Sequence, residues 1–222
     1  MNFPDNLLPQ ALLWAGDAAA LLLLAGALLT APWRRLARID LLNVWLGMCV
    51  GLMLIWGIKT GIKPGLNFHL LGATLMTLMF GSRLALLGFA IVLLGVTLSG
   101  ASGWDSYAIN LLSMGALPVL FSHWLYVLAE RHLPNHLFVY IFLDAFIGAA
   151  LAMSLSGVAA TLLLVITGVY PYAYLAEHYL PYFMLMSWSE AMLTGMAITL
   201  MTAFRPQWLL TFDDFRYLGR KS

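Results

Sequence analysis

Apolar residues run in long blocks along this chain, and polar residues fall between the blocks rather than alternating within them. A helix needs about 20 such residues to cross a hydrocarbon core about 30 Å thick. Seven blocks are read, at roughly 10–31, 40–61, 67–82, 84–100, 105–128, 137–168 and 179–204. Arg83 divides the third block from the fourth. At about 1.5 Å per residue the sixth block is too long for one straight crossing. It is therefore expected to tilt and break near Ser154, Ser156 and Gly157, or to continue outside the membrane. The pattern predicts an all-α integral membrane protein with about seven transmembrane helices.

The basic residues order the ends of these blocks. Arg34, Arg35 and Arg38 follow the first, Arg83 the third and Arg131 the fifth. Arg205, Arg216, Arg220 and Lys221 follow the seventh, whereas Lys59 and Lys63 follow the second. Because Lys and Arg gather on the cytoplasmic side, the N-terminus is expected outside and the C-terminus in the cytoplasm. This is the layout of a multi-pass protein of the plasma (inner) membrane. One domain is expected over 1–222, with 1–9 as an N-terminal segment and 205–222 as a cytoplasmic tail. No basic stretch precedes the first apolar block, so the start is not read as a cleavable signal and Met1 is expected to remain.

Composition sharpens the picture. The 222 residues are 62% hydrophobic and 9% charged, against about 25% charged in soluble domains. The lipid bilayer must therefore be the main solvent. No basic stripe exists to neutralise phosphates, which excludes nucleic acid as a partner. The single Cys49 offers neither a disulfide framework nor zinc spacing. There is no P-loop, HExxH or GxSxG, so no ATPase is expected and uphill movement would need energy from elsewhere. An intramembrane enzyme using His69 and Glu190 is disfavoured, since no nucleophile–base–orienter arrangement can be read, and no enzyme is expected.

Ionisable groups inside spans are costly and face protein or water. The candidates are Asp17, His69, His123, Asp144 and Glu190. Asp17 and Asp144 are expected to pair with hydroxyls or amides in the bundle, and His123 to pack near the inner leaflet. A second set shares the outer level of the membrane: Asn2, Asp5, His69, Asp105, Tyr107, Asn110, Glu177, His178 and Tyr179. Nitrogen, oxygen and imidazole donors at one level suit an extracytoplasmic polar or metal site. Glu190 lies deeper, and both a packing role and a pocket role stay open. Small residues in "GATLMTLMFGS" and "GVAATLLLVITG" predict close helix contacts.

Four stretches resemble one family. "MNFPDNLL" is similar to the "MHIPDG-F-L" opening of CbiM/NikM proteins, the substrate-binding membrane components of cobalt and nickel energy-coupling-factor transporters. "NFHLLGATLMTLMFG" resembles their "HLLGG" segment, and "YAINLLSMGALPVL" their "GANVFNMGVIGP" segment. "HYLPYFMLMSWSEAMLTGMAITLMTAFRPQWL" is similar to their last span, which ends in "RPELL". The likeness covers nearly the whole chain in order.

The resemblance implies uptake of a divalent transition metal, cobalt or nickel, or of a metal chelate. It also implies a transmembrane coupling subunit and cytoplasmic ATPase subunits as partners. No intrinsic cofactor is expected. The family's nitrogen donors map onto the amine of Met1, the second residue and the imidazole of His69. Pro4 and Asp5 match the part that shapes and anchors the segment. Asn110, Met114 and Gly115 match the third stretch, in which Ser113 replaces a second asparagine. Asp5, Asn110, His178 and Glu190 are the expected supporting residues. Asn2 stands where the family has histidine, so a strong ligand is missing. That departure raises an alternative, a membrane scaffold or assembly factor that has kept the fold and lost transport.

Overall fold

The computed structural model describes residues 2–218. Six helices among them are long and apolar enough to cross a membrane: α1 (Gln10–Thr30), α2 (Ile39–Gly57), α3 (Ala73–Leu98), α4 (Tyr107–His132), α5 (Val139–Ile166) and α6 (Leu180–Phe204). A short antiparallel hairpin, β1 (Thr60–Lys63) with β2 (Leu66–Phe68), follows α2 and turns at Gly65. The sequence pattern does not predict it, because seven residues are too few to build an alternating signal.

Close helix contacts follow the small residues. A Cβ on Gly16 would overlap Ile109, and one on Gly157 would overlap the Phe183 ring. These two positions let α1 approach α4, and α5 approach α6, at backbone distance. Ser154 and Ser187 share a hydrogen bond of 2.8 Å between α5 and α6. The expected break in α5 near Ser154 and Gly157 is therefore absent; these residues make a helix contact and the helix continues through them. The irregularity lies earlier, where Val139–Ile147 winds as a wider π-helix.

The third predicted span also needs correction. It opens as strand β2, continues through non-helical residues 69–72, and only then becomes helix. Within α3, Gly81 has φ 77° and ψ 162°, which breaks the helix. Residues 76 and 88 would be about 18 Å apart along a straight helix. Instead, a Cβ on Gly88 would stand 2.5 Å from Met76 Cε. The chain thus doubles back at Gly81, and limbs 73–80 and 82–98 lie side by side. The fold occurs beside Arg83, where the sequence pattern divides two blocks.

The first limb is almost wholly buried, and both its ends are tied. At its start, the Leu71 and Gly72 N–H groups donate to the Glu190 carboxylate at 2.9 and 2.6 Å. At its end, the Leu78 carbonyl accepts from Thr211 Oγ1 at 2.6 Å and the Met79 carbonyl from the Leu210 N–H at 2.8 Å. The segment after α6 therefore folds back under the bundle. Tyr126 and Tyr140 both bond to Thr211 there, and Arg216 pairs with Glu130. Arg35, Arg38 and Arg205 line a cavity of about 610 Å³ at this end, and Arg35 and Arg83 line another.

Two expectations about span carboxylates change. Asp17 lies on the exposed face of α1 rather than inside the bundle. Asp144 is buried, but its Oδ1 has no hydrogen-bond partner. Asp17 is one turn from Leu13 and Ala20, at the margin of the buried stripe Leu13, Gly16 and Ala20, and its side chain is exposed.

Gly81→Ala should destabilise the protein by about 1–3 kcal/mol, the cost of holding a side chain in this backbone region. No atom lies within 4 Å of the added Cβ, so a lowered thermal midpoint would report backbone strain rather than a clash.

Candidate substrate site at the N-terminal segment

A polar chain end cannot enter an apolar bundle unless its backbone groups find partners. Here two asparagine side chains supply them. The Asn2 N–H donates to Asn67 Oδ1 at 2.7 Å, and Asn67 Nδ2 donates to the Asn2 carbonyl at 3.0 Å. The Phe3 N–H donates to Asn110 Oδ1 at 2.7 Å, and Asn110 Nδ2 donates to the Phe3 carbonyl at 2.9 Å. Each amide presents one acceptor and donors in a plane, as a neighbouring strand would. The segment is thus paired on successive residues without belonging to a sheet. Phe3 is completely buried between these contacts.

The next residues are pinned by the loop before α4. Asp5 accepts the N–H groups of Trp104, Asp105 and Ser106 at 3.1, 2.8 and 3.3 Å. Ser106 Oγ donates to the Pro4 carbonyl at 3.0 Å. A Cβ on Gly103 would collide with the Asp5 carboxylate, so glycine lets the loop close over it. Ser102 Oγ donates to Asn2 Oδ1 at 2.9 Å and receives Asn110 Nδ2 at 3.1 Å.

His69 follows Asn67 by two residues and is 2% exposed. Its Nδ1 lies 3.1 Å from the Leu70 carbonyl. A carbonyl can only accept, so Nδ1 carries the proton and Nε2 keeps its lone pair. An unpaired charge is costly in so buried a place, so the ring is neutral. Nε2 is buried without a hydrogen-bond partner. The ring rests against Trp56 at 4.8 Å between centroids, and the Trp56 Nε1–H bonds to the Leu71 carbonyl. With Glu190 holding Leu71 and Gly72, the "HLLG" backbone is fixed from two sides.

The structure brings Asn2, Asp5 and Asn110 into one hydrogen-bonded cluster, joined to His69 through the short Asn67–His69 stretch. Glu190 touches the backbone that carries His69 and not the N-terminal segment. His178 ends a short helix, Tyr172–His178, where it packs on Tyr174 at 4.6 Å and lies 3.8 Å from Glu177. Met1 lies outside the described residues. Sequence reasoning does not nominate Asn67, Ser102 or Ser106. "NFH" places Asn67 beside a candidate, but nothing in the sequence distinguishes the two serines. Among the described residues no three His, Cys, Asp or Glu side chains gather as a metal-binding group.

These features define a multi-pass helical membrane protein whose own N-terminal segment is clamped into a polar site. Residues 2–208 match the family described as the cobalt uptake substrate-specific transmembrane region, CbiM. The chain belongs to that family, whose members are transporter components. Its fold is similar to the crystal structure of a transition metal transporter, with a TM-score of 0.75 and 17% identity over 91% of this chain and 93% of that one. A truncated transition metal transporter gives the same TM-score at 16% identity, over 91% and 99%. No curated protein matches the sequence.

Asn110→Leu should free the N-terminal segment. It leaves the Phe3 N–H unpaired in a buried setting, at a cost of about 1–3 kcal/mol. Amide exchange at Asn2 and Phe3 should accelerate strongly, while exchange in α5 and α6 stays slow.

Proposed function

We propose that this protein is the substrate-capturing membrane component of a transition-metal uptake system of the cobalt and nickel type. The cargo is the metal ion or a chelate of it. The observation that carries this reading is the clamped N-terminal segment, joined through Asn67–His69 to a neutral imidazole whose Nε2 lone pair is free. The Met1 amine, Asn2 and His69 are its nominated donors, and a neutral imidazole nitrogen suits nickel and cobalt. Asp5, Asn110 and Glu190 act by holding the segment and the "HLLG" backbone in place. His178 is the remaining candidate for support. The arginine-rich end favours an orientation with the site facing outward across the plasma membrane. A transmembrane coupling subunit and cytoplasmic ATPase subunits would supply the energy.

A second reading is a scaffold or assembly factor without transport. It is favoured by Asn2, which provides no imidazole and whose backbone N–H is already bonded to Asn67.

Metal titration of the purified protein separates the two. Under the transport reading, cobalt or nickel, supplied free or as a chelate, binds at micromolar levels or better. Binding is then lost in His69→Ala and in a chain extended by one residue before Met1. Asn2→His should strengthen binding by about tenfold or more, since even groups that only orient ligands change affinity by about 10–100-fold. Wild-type protein that binds neither form of either metal would rule out the transport reading.

A further inference from the structure

We propose that the cargo reaches this site as an anionic chelate, a transition metal already held by carboxylate ligands, and that Lys59 and Lys63 receive those carboxylates. This rests on the metal-uptake reading and narrows it. Three observations converge.

The first is a shortage of donors. The Asn2 N–H is taken by Asn67, and Asn2 Oδ1 by Ser102. All three hydrogen bonds to Asp5 come from backbone N–H groups of one loop. Among the described residues, His69 Nε2 is the nearby side-chain nitrogen left without a partner, and His69 lines an adjoining cavity rather than the one over the N-terminal segment. A transition metal needs four or more donors, more than the described residues and one further amine supply, so the others arrive with it.

The second is room. Asn2, Asp5, Asn67 and the two lysines line a cavity of about 540 Å³ over the N-terminal segment. That volume falls within the range of small-molecule sites, about 300–1,000 Å³, and is far larger than one ion with ligands about 2 Å away requires.

The third is charge. Lys59 and Lys63 are the basic residues of this cavity and Asp5 is its one acidic residue. The Asp5 charge is spread over its three N–H donors. Lys59 Nζ bonds to the Ala101 carbonyl, and Lys63 Nζ sits 4.2 Å from the centre of the Tyr174 ring. Among the described residues neither lysine pairs with a carboxylate. Asp105 and Glu177, the other acidic residues of this end, do not line the cavity. A bare dication would meet two ammonium groups on approach, whereas a carboxylate-bearing complex would be drawn in and hydrogen-bonded by both.

The test uses purified protein in nanodiscs, with equilibrium dialysis against nickel(II) or cobalt(II) sulfate and against the corresponding citrate complex. The citrate complex should bind more tightly than the free ion. Lys59→Gln with Lys63→Gln should weaken it by about tenfold per lysine, as removal of a charged hydrogen bond does. Lys59 also ties two loops, so Lys63→Glu is measured separately. It should abolish binding of the complex at an unchanged unfolding temperature. If free metal binds at least as tightly as the complex, or if Lys63→Glu retains the complex, the inference falls and the uptake reading stands. If neither probe binds, both fall.

Discussion

The structure depends on finding hydrogen-bond partners for polar backbone in a place where lipid and side chains offer almost none. An unpaired N–H or carbonyl in such surroundings costs several kcal/mol. The first residues meet this constraint through Asn67 and Asn110, whose planar amides imitate a neighbouring strand on both sides of Asn2 and Phe3. Remove that pairing and the polar end has no reason to enter the bundle. The pocket above it, the placement of Asp5 and the neighbourhood of His69 all follow from this one solution.

The same requirement explains the short helical limb behind His69. A helix of eight residues leaves most of its end groups unpaired. Glu190 answers at one end with two carboxylate oxygens, and the segment after α6 answers at the other. Gly81 then permits the sharp return that packs this limb against 82–98. A charged residue and a glycine, both costly inside a span, are retained because they make a half-length helix viable.

Much of this fold is legible in the order of residues alone. Lipid tolerates few charges, so the blocks between them mark the helices, and α1, α2, α4 and α6 lie close to where those blocks predict. The shared level of Asn2, Asp5, His69 and Asn110 is also legible, because ends of spans fall at known depths. Rotation and reversal are not. Asp17 is exposed because no neighbouring element covers the margin of α1 on which it sits. The limb 73–80 is short because its neighbours fill the remaining depth with β2 and "HLLG". Ser102 and Ser106 matter through a loop conformation, and no sequence period encodes one.

The hydrogen bonds around the first residues also impose an order in time. Phe3 is synthesised well before its partner Asn110, which lies 107 positions later. The backbone beside His69 waits longer still, for Glu190, and the far end of its helix for Leu210 and Thr211. Asn2 and Phe3 therefore leave the ribosome long before the residues that frame them.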